Sequence, residues 1–173
     1  MCSDHELMCK TGQGDSRAFE QLVLRHQDLV WRLVYRFTNN RSDAEELAQE
    51  SFLKTFRAAR KYTPSAQFTT FLYRVVVNTC LDYTRKKEAE ELGEHTDESP
   101  LPARVVENRE RRDVVEKSLQ SLPDRQKLAV VLHYFEDFSL REIADYLDTT
   151  PKGIERLLSR ARSRLEKRLN RLL

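Results

Sequence analysis

In the stretch Ser139-Leu-Arg-Glu-Ile-Ala-Asp-Tyr-Leu-Asp-Thr-Thr-Pro-Lys-Gly-Ile-Glu-Arg-Leu-Leu158 two helices begin with one short turn between them. Ser139 followed by Glu142 is a capping box, in which each side chain satisfies a backbone donor of the other's turn. Asp148 and Thr149 turn the chain, and Thr150-Pro151 caps and opens a second helix, proline being suited to a first helical position. Ile143, Ala144, Leu147, Ile154 and Leu158 are spaced so that the short helix and the long one cross over a shared core. The pattern is a helix-turn-helix.

Toward the C-terminus the second helix continues to about Leu172. From Lys152 to Arg171 it carries eight bases, at positions 152, 156, 160, 162, 164, 167, 168 and 171, against the two acids Glu155 and Glu166. Charge runs on terminal helices are often only solvated, but following a helix-turn-helix this excess suits contact with DNA phosphates. Toward the N-terminus, Leu122-Pro123-Asp124 opens a helix through Tyr134, Glu136 to Phe138 connect it onward, and Arg109 to Gln120 forms another helix. Before these, Glu88 to Ser99 holds six acids and no Lys or Arg, with Pro100 and Pro102 just beyond. That composition marks a linker over 88–108 between modules at 1–87 and 109–173.

The first module is also helical. Asp15 to Thr38 keeps Phe19, Leu22, Val23, Leu29, Val30, Leu33, Val34 and Phe37 at three- and four-residue steps. Asn39 to Arg41 turn the chain, and Ser42 with Glu45 is expected to cap a helix running to Phe56, packed antiparallel to its predecessor. On that helix Ala44, Ala48, Phe52, Thr55 and Phe56 are assigned to the core, while Asp43, Glu46 and Glu50 face outward with Gln49 and Leu53 along the edge. Glu46 and Glu50 are like charges one turn apart, which costs an isolated helix roughly 0.2–0.5 kcal/mol. A solvated acidic face, with Glu50 near Lys54, and a docking surface for a basic partner both fit. Trp31 and Tyr35 are expected in the core rather than facing a partner.

Arg60 to Gln67 is a polar loop broken by Pro64, and Phe68 to Lys87 keeps helical period through Phe68, Phe71, Leu72, Val75, Val76, Cys80 and Tyr83 despite three consecutive valines. Arg74, Asn78, Asp82 and Arg85 take its opposite face. Six bases against one acid between Arg60 and Lys87, beside an aromatic-bearing loop, suit single-stranded nucleic acid as well as an ordinary basic surface.

Composition narrows the classes. The 173 residues, 39% of them hydrophobic, support compact cores, and four glycines with five prolines leave little hairpin punctuation, so the expected class is all-α: two small helical domains on a flexible acidic linker. Net charge is +2, so the sorting of sign along the chain carries the information. No apolar run reaches the roughly 18 residues of a membrane span, and the start lacks an apolar signal segment, so a cytoplasmic protein without direct membrane insertion is expected. Cys2, Cys9 and Cys80 form no disulfide framework. Cys80 belongs to the core, and Cys2, His5 and Cys9 lack a fourth ligand and are read as a frayed terminus, so neither metal nor cofactor is expected.

Three motifs carry a family resemblance: Asp43-Ala-Glu-Glu-Leu-Ala-Gln-Glu-Ser-Phe52; Phe68-Thr-Thr-Phe-Leu-Tyr-Arg-Val-Val-Val-Asn-Thr-Cys-Leu-Asp-Tyr83; and Leu122-Pro-Asp-Arg-Gln126 with Ser139-Leu-Arg-Glu-Ile-Ala-Asp-Tyr-Leu147 and Ser159-Arg-Ala-Arg-Ser-Arg-Leu165. In this order the chain resembles bacterial RNA polymerase sigma factors of the extracytoplasmic-function (ECF) type over about residues 15–87 and 109–170. The resemblance implies that Glu46, Gln49, Glu50 and Leu53 bind the clamp coiled coil of core RNA polymerase. It implies that the Tyr62–Phe71 loop and the next helix read and open the promoter −10 element through Tyr62, Phe68, Asn78, Arg85, Lys86 and Lys87. It further implies reading of the −35 element by the second module, with Thr150, Lys152, Glu155, Arg156, Ser159 and Arg160 at the DNA, and an anti-sigma factor as a further partner.

Two departures from the family pattern are visible. Lys152-Gly-Ile-Glu-Arg-Leu-Leu158 stands where Gly-Thr-Val-Lys-Ser-Arg-Leu is usual, which shifts the expected −35 sequence: Glu155 can accept from cytosine N4 and Arg156 can fork onto guanine. Phe71 replaces a frequent tryptophan. The rival readings are a stand-alone helix-turn-helix regulator, which would bind duplex DNA without polymerase, and a protein-binding helical adaptor, which leaves the basic helix unexplained. An enzyme fits least: Gly12-Gln-Gly14 has no third glycine, and His5, His26, His95 and His133 have no evident nucleophile or metal partner.

Overall fold

A computed structural model of the chain describes residues 2–91 and 108–172. Among these residues the regular structure is eight α-helices and one 3₁₀ turn, without strands. Proximity of the backbone divides the chain into two compact units, Met1–Cys80 and Leu81–Leu173.

The first unit opens with α1 (Asp4–Gly12), where a frayed end was expected. Ser3 accepts from the Glu6 amide and Glu6 reaches back to the Ser3 amide, so the first turn is closed by a capping box. Leu7 and Met8 are buried, and this burial is what keeps a nine-residue helix docked, since so short a helix is marginal alone. Asp15 caps α2 (Ser16–Thr38) by accepting from the amides of Arg17 and Ala18. Leu22, Val30, Leu33, Val34 and Phe37 line its buried stripe. The helix stops at Asn39, whose left-handed backbone (φ 49°) lets its amide reach the Tyr35 carbonyl at 2.7 Å; Asn tolerates that conformation better than most residues.

The third helix, α3 (Arg41–Ala58), corrects two expectations. Its cap is Asn40, which accepts from the Asp43 amide, and Ser42 lies inside the helix. Asn40 takes the extended backbone a cap needs, so the helix begins two residues earlier than the Ser42–Glu45 pattern suggested. Its buried residues are Ala44, Leu47, Ser51 and Thr55, whereas Phe56 is 44% exposed and Ala48 and Phe52 are half-buried. The core stripe is thus rotated from the assigned one, because Ser51 and Thr55 bury their hydroxyls by donating to the carbonyls of Leu47 and Ser51 one turn back. Phe19 meets Phe56 edge-on with centroids 5.0 Å apart, which joins the start of α2 to the end of α3 and sets them antiparallel. Trp31 and Tyr35 stack at 5.7 Å but are half-buried and exposed respectively, not core as expected.

A 3₁₀ turn (Ala59–Lys61) leads to the loop and then to α4 (Phe68–Glu91). Phe68, Leu72, Val76 and Cys80 are buried and Arg74, Asn78, Asp82 and Arg85 exposed as the helical period required, but Tyr73 and Val77 are buried beside them and Phe71, Val75 and Tyr83 of the expected stripe are half-buried. Helical structure extends past Lys87 to Glu91, into the segment assigned to the linker; the rest of that assignment, 92–107, lies outside the described residues.

In the second unit, α5 (Asn108–Gln120), α6 (Asp124–Tyr134), α7 (Leu140–Tyr146) and α8 (Pro151–Leu172) follow. Every residue from Gln126 to Leu132 is buried, so α6 is the axis around which its neighbours pack. Lys127 is tolerated there because its ammonium donates to Gln120 at 3.0 Å and lies 3.5 Å from Asp124. Ile143, Ala144, Tyr146 and Leu147 meet Ile154, Leu158 and Ala161 in the shared core. Asp148 (φ 47°) makes the turn, the Thr149 amide donates to the Ala144 carbonyl, and Arg125 donates to the Leu147 carbonyl, which holds α7 in place from α6.

Candidate functional site

Three surfaces collect the residues singled out from the sequence. The first is the outer side of α3. Because the buried stripe is Ala44, Leu47, Ser51 and Thr55, the opposite side presents Glu46, Gln49 and Leu53, all exposed, with Glu50 half-buried beside them. Leu53 is 48% exposed, a solvated apolar side chain among acids. Arg57 Nη1 stands 3.9 Å from Glu50, and Arg41 donates to Glu45 at 2.9 Å. Surface pairs of this sort contribute about 0–1 kcal/mol, so the acidity remains available to a basic partner.

The second surface surrounds the loop between the 3₁₀ turn and α4. Residues 63–67 are exposed, and the two ends of the loop are held by rings. Tyr62 is half-buried, packed edge-on to Phe71 at 5.2 Å and to Phe68 at 6.3 Å, and its hydroxyl shares a 2.6 Å hydrogen bond with Nδ1 of His5. Burial, with the Cys9 thiol and the Asp4 carboxylate nearby, pushes the Tyr62 phenol up, so it stays protonated. Phe68 is only 4% exposed and packs against His26 at 5.2 Å. It therefore supports the loop from below and presents no open face for a base, a correction to its expected role as a DNA contact. Asn78, Arg85, Lys86 and Lys87 are exposed along α4, with Arg85 3.7 Å from Asp82 and Lys87 over the Tyr83 ring at 5.9 Å.

Sequence reading missed the contribution of α1 to this surface. Asp4 accepts from Arg25 at 2.8 Å and bonds Nε2 of His26 at 2.8 Å, the same His26 that meets Phe68. Burial alone would raise the Asp4 carboxyl, but the hydrogen bonds and charges of Arg25 and His26 prevail and hold it below the usual carboxylate range. The available signal was Ser3-Asp-His-Glu6, a capping box followed by the apolar pair Leu7-Met8. His5 engages Tyr62 through Nδ1, and among the described residues no three His, Cys, Asp or Glu side chains are grouped to hold a metal.

The third surface is the start of α8. Ile154, Leu158 and Ala161 turn inward, which leaves Thr150, Lys152, Glu155, Arg156, Ser159 and Arg160 exposed together on the outer side. The Thr150 hydroxyl caps the helix by accepting from the Gly153 amide at 3.1 Å. Farther along, Arg162 donates to the Tyr134 hydroxyl at 2.7 Å and lies over its ring, a brace between α8 and α6. Among the described residues no helix is long and apolar enough to cross a membrane.

These surfaces coincide with two family models: sigma-70 region 2 matches residues 22–90 and sigma-70 region 4 matches residues 112–165. The RNA polymerase sigma-H factor of Pseudomonas aeruginosa is 30% identical, over 98% of this chain and 95% of that one. The ECF RNA polymerase sigma-E factor of Salmonella typhimurium is also 30% identical, over 99% of this chain and 96% of its own. Among solved structures, the sigma factor RpoE of Bartonella quintana, crystallised with the anti-sigma factor NepR, shares the fold with a TM-score of 0.71 at 21% identity, over 88% of this chain and 96% of that one. With two region models in the right order and relatives matched nearly end to end, the chain belongs to the ECF class of RNA polymerase sigma factors, which are initiation factors and not enzymes.

Proposed function

We propose that this chain works as a cytoplasmic sigma factor through three separate contacts, each on one of the surfaces described above. Like other members of its class it binds core RNA polymerase and directs promoter-specific initiation. Residues 1–87 supply the polymerase contact through Glu46, Gln49, Glu50 and Leu53. They also supply the −10 contact through Tyr62, Asn78 and the Arg85–Lys87 run, with Phe68 as support. Residues 109–173 read the −35 element through Thr150, Lys152, Glu155, Arg156, Ser159 and Arg160, with 88–108 as the connection. The opening of the −10 element needs no covalent step: unstacked bases bound on aromatic and cationic side chains are stabilised by about 1–3 kcal/mol each, which favours the melted strand. An anti-sigma protein that covers the acidic and basic faces would silence all three contacts.

The observation that carries this reading is the outward acidic face of α3, where Glu46 and Glu50 repel each other one turn apart while the residues that hold the helix in the fold lie on the other side. A Glu46→Lys, Glu50→Lys double variant should keep its circular dichroism spectrum and lose capture by core polymerase. Capture at the wild-type level would refute the docking assignment.

A further inference from the structure

The first turn of α1 touches one end of the loop at 63–67 directly and reaches the other through His26. At one end His5 Nδ1 and the Tyr62 hydroxyl lie 2.6 Å apart, with their rings stacked at 5.9 Å. At the other, Asp4 bonds His26 at 2.8 Å, and the His26 ring packs on Phe68, the first residue of α4. The far end of α1 rests against the 3₁₀ turn that feeds the loop: a Cβ built at Gly12 would stand 2.5 Å from the Ala59 carbonyl oxygen. Three anchors from one short helix thus frame a loop whose own residues are exposed.

We propose that His5 is a positioning residue for promoter opening, holding Tyr62 in the pose in which it receives an unstacked base, with Asp4 and His26 fixing the opposite end of the loop through Phe68. This rests on the assignment of Tyr62 to the −10 contact. The physical basis is preorganisation. A tyrosine held by a hydrogen bond and by the edges of Phe68 and Phe71 has already lost its rotamer freedom, so DNA binding does not have to remove it. Neither His5 nor Asp4 is needed for the acidic face of α3, so core binding should be independent of them.

The test uses the full chain in holoenzyme, on a promoter selected by transcription of genomic fragments with the wild-type factor, and follows strand opening by permanganate reactivity of thymines. His5→Ala should slow opening by about three- to tenfold, the effect of releasing one ordered side chain, at unchanged affinity for core. His5→Asn, whose amide sits near the place of Nδ1, should restore most of the rate. Adding His5→Ala to Tyr62→Phe should cost little beyond Tyr62→Phe alone, since the hydroxyl is the shared link. The proposal is overturned if His5→Ala opens promoters at the wild-type rate while Tyr62→Ala does not. It is equally overturned if His5→Ala lowers thermal stability and core affinity in step with opening and Asn fails to rescue, which would make His5 only structural. Unimpaired opening by Tyr62→Ala would instead remove the −10 assignment of Tyr62, and this inference with it.

Discussion

Gly12 shows how a single hydrogen in place of a methyl group governs the position of a helix. Its Cα faces the 3₁₀ turn so closely that a Cβ would meet the Ala59 carbonyl oxygen at 2.5 Å and its carbon at 3.0 Å, both backbone atoms that no rotamer change can move aside. Gly12→Ala should therefore destabilise the first unit by about 1–3 kcal/mol, the usual cost of overpacking, read as a lower denaturant midpoint with an unchanged slope. Asp4 makes the second residue-level case. Its carboxyl is held below its ordinary value of 3.8, so the folded state favours the ionised form. The stabilisation is then fully present well above 3.8 and is lost as pH falls through the lower folded value. Asp4→Asn should accordingly be less stable than the wild type at neutral pH, with the gap closing in acid; a gap independent of pH would show that the carboxylate charge plays no part. Little of this was legible in the sequence. The Ser3–Glu6 capping pattern was there to be seen, but the partners Arg25, His26 and Tyr62 come from elsewhere in the chain, and only tertiary packing brings them to α1.

At the scale of elements, legibility followed the strength of the periodic pattern. The long helices α2, α4 and α8 and the capping box of α7 formed where hydrophobic period and cap residues agreed. On α3 they disagreed: Ser42 stood out as a cap where Asn40 serves, and of the assigned core Ala44 and Thr55 are buried while Leu47 and Ser51 take the places given to Ala48, Phe52 and Phe56. Ser51 and Thr55 sit inside because their hydroxyls are satisfied by the helix's own carbonyls. The outward face of α3 survived this rotation because Glu46 lies opposite either stripe, and Gln49 and Leu53, on the edge of the assigned one, lie opposite the observed one. On α8 the distinction between contacts that position and contacts that specify becomes measurable. Arg156→Ala should weaken binding of holoenzyme to its own −35 sequence by about 1–3 kcal/mol if the guanidinium forks onto a base. Equal weakening on every −35 sequence would make it a phosphate contact.

For the molecule as a whole, the sorting of charge matters more than its total of +2. Acid is presented by α3 and base by Arg85–Lys87 on α4 and by α8, whose sequence from 152 to 171 holds eight cationic residues against Glu155 and Glu166. One helix with so few phosphate partners binds duplex DNA weakly at physiological salt, with non-specific dissociation constants on the order of 10⁻⁴ to 10⁻⁶ M. If the acidic face fixes the chain to polymerase, as proposed, each DNA contact becomes an intramolecular event at high effective concentration, and affinities that are weak singly combine into tight binding. The chain alone should therefore bind a promoter duplex in the micromolar range or weaker. Addition of core polymerase should tighten binding by at least about a hundredfold, the lower end of the gain expected from linked sites, and the Glu46→Lys, Glu50→Lys variant should abolish that gain without changing the weak binding of the free chain. Electrophoretic mobility shifts across a salt series separate the outcomes, since the free chain's binding should fall with log salt at a slope of about −0.9 for each phosphate neutralised. Nanomolar binding by the free chain, indifferent to core polymerase, would mean that the helix-turn-helix acts on its own and that the acidic helix serves no polymerase.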